Sequence, residues 1–136
     1  MDNNQKGLEC INIDYVNITL KAINKTIEIH EYAIENNIDY IDARIEINSG
    51  KCPLCKMSEE CRTQIGINSK CKLCPWYIFT GDICSLNEEI DYCNNEESVE
   101  RLESWKKEIK KNKEEYKNKL IKAIKGEKNG KSGYDN

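Results

Sequence analysis

Residues 51–77 read KCPLCKMSEECRTQIGINSKCKLCPWY, and this stretch decides what kind of fold the chain can have. It holds two Cys-x-x-Cys pairs, Cys52-Pro-Leu-Cys55 and Cys71-Lys-Leu-Cys74, with fifteen residues between them. That interval matches tetrathiolate zinc spacing, because each pair makes a tight chelating turn and the loop between lets the turns converge tetrahedrally. Four thiolates close the coordination sphere of Zn2+ and leave no position for a reactive water, so such a site is structural. It would supply about 10 kcal/mol or more to a segment too poor in apolar runs to form a core by burial. Pro75 suits the first position of a helical turn ending near Gly81, which would set the Cys74 sulfur near free amides and favour the thiolate.

The remaining cysteines leave the ligand set open. Cys84 or Cys61 could replace one of the four, and a second site would borrow from Cys93, Cys10, His30 or a carboxylate. The spacing Cys52-x2-Cys55-x5-Cys61 could instead wrap an iron–sulfur cluster. Thiol-redox use of Cys-x-x-Cys belongs in a βαβ unit, and no such unit is visible in the sequence. The bland account of Cys61, Cys84 and Cys93 is that they are small, buried, apolar side chains.

Moving outward, Val16, Leu20, Ile23, Ile27, His30 and Ile34 recur at spacings of four and three, predicting an amphipathic helix over 17–36 with Asn17 as cap and Asn36-Asn37 as stop. A second row, Ile18, Ala22, Ile29 and Ala33, widens the apolar stripe. Ile41, Ala43, Ile45 and Ile47 alternate with polar residues and predict a short strand, the arm of a short β-hairpin, leading to Ser49-Gly50. Ser58 is placed to cap a turn running toward Gly66. On the C-terminal side Val99, Leu102, Ile109, Tyr116, Leu120 and Ile124 share one face with Trp105 beside them, predicting one helix over 95–125, a rod of roughly 45 Å that would project and offer a surface for a second copy. Residues 126–136 read as a disordered tail. The expected architecture is mainly α, one domain over 1–125, with two long helices flanking a zinc-stapled module at 51–93.

The chain has 136 residues, 38% hydrophobic and 33% charged, with a net charge of −3. That excludes a large two-lobed enzyme and any global positive field for nucleic acid. Charge is uneven: residues 88–100 carry acids without Lys or Arg, whereas 101–131 carry twelve Lys and Arg against five Glu. Acid first and base later along one helix suits the helix dipole. The alternative is a nucleic-acid face made of Lys106, Lys107, Lys110, Lys111, Lys113 and Lys117. Trp76, Tyr77 and Phe79 could stack on bases, but serve equally to pack the cysteine module onto the helices. His30, the only histidine, falls on an apolar face and reads as packed and hydrogen-bonded. No triad, phosphate-cradling loop or paired-carboxylate motif stands out. The N-terminus has no signal-peptide run and no segment is apolar enough to span a membrane, so the expected setting is cytoplasmic and reducing, which weighs against a disulfide framework.

Cys52-Pro-Leu-Cys55, Cys71-Lys-Leu-Cys74-Pro75 and Gly81-Asp-Ile-Cys84, between an amphipathic helix and a charged one, resemble a type of small cysteine-rich protein encoded by phages and prophages. The resemblance runs over about residues 17–125, and Cys61 and Cys93 fall outside its pattern. It implies metal binding, with Cys84 among the ligands, and a part in phage–host conflict or regulation inside a bacterial host; it implies no activity. The expected function is a non-enzymatic, zinc-stabilised interaction protein, an inhibitor or adaptor acting on a host defence complex. The alternatives are a nucleic-acid-binding regulator and an iron–sulfur or thiol-redox protein.

Overall fold

The computed structural model describes residues 10–65, 73–81 and 95–129, and among these the fold is helical throughout. Helix α1 spans Ile13–Asn36. It begins four residues before the expected start because Asn12, not Asn17, is the cap, its side chain accepting from the Tyr15 amide at 3.0 Å. Asn37 ends the helix in the left-handed region, φ 56°. Asn17 instead lies within the helix and accepts from Lys113 Nζ at 2.8 Å.

Helix α2, Tyr40–Asn48, replaces the expected strand. The alternation of isoleucines drew attention from a second pattern: Tyr40, Ala43, Arg44 and Ile47 recur at i, i+3, i+4 and i+7. The first three are buried, while Ile45 is 58% exposed. Asp39 caps α2 by accepting from the Asp42 amide at 2.8 Å. Among the described residues there is no strand, so no β-hairpin either.

Helices α3, Pro53–Ile65, and α4, Pro75–Thr80, come from the cysteine-rich section. Ser58 does not cap a turn. It sits inside α3, fully buried, donating to the Cys55 carbonyl at 3.1 Å. Helix α4 starts at Pro75 and stops at Gly81, whose φ of 82° is the left-handed exit that glycine adopts without strain.

The expected single C-terminal rod is two helices, α5 at Asn95–Lys111 and α6 at Lys113–Asn129. Asn112 makes the break: its amide reaches back to the Ile109 carbonyl at 3.2 Å, and its side chain accepts from the Glu115 amide at 3.1 Å, capping α6. At ~1.5 Å per residue each piece is roughly 25 Å long. The helix also runs past the expected boundary at 125, to Asn129.

Three hydrogen bonds set the direction of packing. His30 meets Asn95, Asn24 meets Lys106 and Asn17 meets Lys113, so α1 runs antiparallel to the path through α5 into α6. Val16, Leu20, Ile23 and Ile27 of α1 form one core with Leu102, Trp105 and Ile109 of α5, Tyr116, Leu120 and Ile124 of α6, and Leu54 and Leu73 from the cysteine-rich section. The second row of α1, through Ile29 and Ala33, closes onto Tyr40 and Ala43 of α2. Ile18 belongs to that row by sequence but is 47% exposed. Thr19 and Thr26 are buried, and their hydroxyls donate to the Tyr15 and Ala22 carbonyls within α1. No described helix is long and apolar enough to cross a membrane.

Replacing Trp105 with Ala removes the ring on which α4 and α5 meet and is expected to cost about 3–5 kcal/mol. Asn112→Ala should cost about 1 kcal/mol through the lost cap. Urea denaturation of both variants measures these. His30 lies buried between Asn95, at 2.8 Å, and the Tyr40 ring, stacked at 4.1 Å. Burial holds its pKa below 6.5, opposed by the Asn95 hydrogen bond. The unfolded chain therefore takes up a proton that the folded chain resists, and stability falls as pH drops through about 6.5 and below. The urea midpoint of wild type should decline from about pH 7.5 to about pH 5.5, and His30→Gln should flatten that slope.

Candidate metal centre

The centre starts from the first turn of α3. The Cys52 carbonyl accepts the Lys56 amide at 3.0 Å, which makes Cys52 the residue that enters the helix, with Pro53 in the first helical position. Cys-x-x-Cys then puts Cys55 one turn along, beside it. Donation from the Cys55 thiol is the largest influence on Cys52 and lowers its pKa from 9.0 to about 6; burial opposes it, while the Cys55 and Leu54 amides and the Arg44 charge assist. The shift favours the thiolate of Cys52, the form that binds a soft metal or attacks a disulfide.

Arg44 comes to this place from α2. It is only 9% exposed, unusual for a guanidinium, and its Nε donates to the Gly50 carbonyl at 3.2 Å just before Cys52. Its plane lies 5.3 Å from the centre of the Tyr40 ring. Arg44 Nη1 is buried and meets no hydrogen-bond partner among the described residues. Tyr40 completes the group. Burial first, and then the Cys52 charge, push its pKa well above the usual phenol value.

Cys74 lies in a second environment. It is buried and leads into α4, its carbonyl accepting the Ile78 amide at 3.2 Å. Around it are Tyr15 of α1, 4% exposed, and Tyr116 of α6, 3% exposed, all three in the same core. Burial raises both phenol pKa values, and the charge of Cys74 raises them further. Neither hydroxyl has a hydrogen-bond partner among the described residues.

Of the five predicted ligands, then, the structure brings Cys52 and Cys55 together and buries Cys74 beside two phenols. Cys71 and Cys84 lie outside the described residues. Among the described residues no three His, Cys, Asp or Glu side chains gather into a metal-holding group, so Cys74 does not complete a trio with Cys52 and Cys55. The Cys52–Cys55 pair by itself offers two soft sulfur donors one helical turn apart.

Cys61 is neither a spare ligand nor a passive apolar residue. It forms a disulfide with Cys10, Cα atoms 6.1 Å apart and 51 positions distant in sequence, tying the start of α1 to α3. Nothing local signals this pairing, which arises only when α3 docks against the N-terminal end of α1.

The six lysines expected as phosphate contacts do not form one uniform stripe. Lys106 is engaged by Glu103 at 3.3 Å and Asn24 at 3.0 Å, Lys113 by Asn17, and Lys117 by Glu114 at 3.1 Å. Lys107, Lys110 and Lys111 remain exposed on α5. The aromatic residues pack inward: Phe79 stacks on Trp105 at 5.2 Å and on Tyr116 at 5.8 Å, and Trp76 meets Trp105 edge-on at 5.8 Å. Arg101 covers the Trp76 ring at 5.0 Å.

The chain matches no protein-family model, no curated protein and no solved structure.

The Cys10–Cys61 bond closes a long loop, and loop-closure entropy assigns it about 4 kcal/mol. Cys10→Ser should lower the stability of the oxidised protein by that order and leave the fully reduced protein little changed, as read from urea midpoints with and without reductant.

Proposed function

We propose that this chain is a non-enzymatic interaction protein whose cysteine-rich section is stapled by a thiolate-bound zinc ion. The single observation that carries the reading is the dithiol at the first turn of α3. Cys52 and Cys55 are adjacent, the Cys55 thiol shifts Cys52 toward its thiolate, and the buried Arg44 guanidinium lies near it. Cys71 and Cys84, which lie outside the described residues, are the remaining candidates for the ligand set, Cys74 standing apart from the Cys52–Cys55 pair. Zinc would hold α3 and α4 against the core without offering a position for chemistry, leaving the outer helix faces to act by contact. The resemblance to phage-encoded proteins supports a protein partner in a bacterial host, a defence complex among the candidates, with the chain serving as inhibitor or adaptor.

One observation favours a second reading. A Cys-x-x-Cys whose first sulfur is a thiolate at a helix N-terminus is also the arrangement for thiol–disulfide exchange, and the chain already contains one disulfide.

Elemental analysis of the full chain purified under anaerobic conditions separates the two. About one zinc per chain, lost in Cys52→Ser and Cys55→Ser, supports the staple. A colourless, metal-free, fully helical protein that forms a reversible Cys52–Cys55 disulfide in a glutathione buffer overturns it in favour of redox use, and brown colour with visible absorption would indicate an iron–sulfur cluster. Nucleic-acid binding that weakens steeply with added salt would instead support a regulator working through Lys107, Lys110 and Lys111.

A further inference from the structure

On α1, α5 and α6 an exposed carboxylate pairs with a lysine three residues away: Glu28 with Lys25, Glu103 with Lys106 and Glu114 with Lys117. The end of α1 and the whole of α2 depart from that pattern. Glu31, Glu35, Asp39, Asp42 and Glu46 are all exposed, and none forms an ion pair with a cation among the described residues. Where a lysine would stand, Glu31 is followed by Ile34 and Glu35, and Asp42 by Ile45 and Glu46. Like charges one turn apart repel each other. Arg44, the one basic residue between positions 31 and 46, is buried and offers the surface nothing. Beside these carboxylates, isoleucines are open to solvent: Ile34 is 38% and Ile45 58% exposed, with Ile41 half-buried one turn before Ile45. The two helices lie side by side here, packed through Ala33 and Ala43, with the Tyr32 hydroxyl donating to Glu46 at 2.6 Å.

We propose that this face, Ile34 and Ile45 with Glu31, Glu35, Asp42 and Glu46, docks a basic amphipathic helix of a partner protein. The proposal rests on the interaction reading above, naming the face and the chemistry of the partner, and it does not depend on zinc. Exposed apolar side chains rimmed by polar ones mark contact surfaces. The chain leaves the carboxylates of this rim without cations of its own, so an incoming strip of lysine or arginine relieves their repulsion and breaks no existing pair. A helix that carries such a strip beside a strip of leucines matches both features: apolar burial supplies affinity, and the charges supply rate and selectivity. Nucleic acid and anionic membrane headgroups are repelled by the same carboxylates. A second copy of the chain offers Lys107, Lys110 and Lys111 on α5, but neither α5 nor α6 presents an exposed large apolar side chain among the described residues, so a second copy matches the charge and leaves the isoleucines uncovered.

The test uses the full chain and three synthetic peptides: an amphipathic helix of leucine and lysine, the same residues with the leucines scattered around the helix, and an analogue with glutamate for every lysine. Binding is read by fluorescence anisotropy at about 0.15 M salt, where screening suppresses attraction by net charge alone. Wild type should bind the first peptide about tenfold or more tightly than the other two. Ile34→Ser with Ile45→Ser, and Glu35→Lys with Glu46→Lys, should each weaken that binding about tenfold or more, and the lysine variant should gain affinity for the glutamate peptide. Glu35 and Glu46 lie in the last turns of their helices, where lysine suits the dipole, so the reversal spares the fold. Ile18→Ser, and Glu103→Lys with Glu108→Lys, make the same chemical changes at exposed positions elsewhere and should leave affinity unchanged. Equal losses in these controls, or equal binding of the scattered peptide, would reduce the effect to overall charge and overturn the proposal. Absence of binding to wild type overturns it as well. Self-association of wild type that Ile34→Ser with Ile45→Ser abolishes, without peptide binding, gives the face to a second copy and overturns the partner helix. None of these outcomes bears on metal content, so the zinc reading stands or falls separately by elemental analysis.

Discussion

The structure depends on α1 burying two rows of apolar side chains at once. A single row needs one neighbour. Two rows on different faces of the helix need neighbours on two sides. The row through Val16, Leu20, Ile23 and Ile27 draws in α5 and α6 with part of the cysteine-rich section, and the row through Ile29 and Ala33 draws in α2. Because α1 is central, its polar residues also determine register: Asn17, Asn24 and His30, spaced along one side, each meet a group on the C-terminal helices. Apolar burial supplies the attraction, and these three bonds choose among the antiparallel alignments it allows.

Against that helical frame, the cysteine-rich section is a weak partner. It contributes Leu54, Leu73 and a few half-buried side chains to the core, with Phe79 and Trp76 laid against Trp105. A covalent bond compensates in part for the small burial. The Cys10–Cys61 disulfide secures α3 to the beginning of α1, and the Cys52–Cys55 dithiol sits at the other end of the same helix. A segment with little core gains from such a cross-link.

Much of the helical outline was legible because it follows from local chemistry. The stripe of α1, the Pro75 start and Gly81 stop of α4, and the apolar face continuing through Trp105, Tyr116 and Leu120 all carry their own signals. The misread segment at Ile41–Ile47 shows the limit of pattern matching. Two periods coexisted there, and the structure follows the one that buries Tyr40, Ala43 and Arg44 rather than the one that lines up isoleucines. An Arg is counted as polar in any sequence pattern, so its burial hid the helical stripe. Asn112 was passed over for a similar reason, since a lone Asn in a charged helix reads as surface until its side chain is seen capping the next segment.

The amino-acid sequence by itself determined the helical class, the central amphipathic helix and the dithiol of Cys52 and Cys55, because each depends on contacts within a turn or two of chain. Tertiary structure alone decided that Cys10 meets Cys61, that Arg44 is buried beside Cys52, and that Tyr15 and Tyr116 close around Cys74. Those encounters join residues from different helices. They exist only after apolar burial has brought the helices together, and no spacing along the chain encodes them.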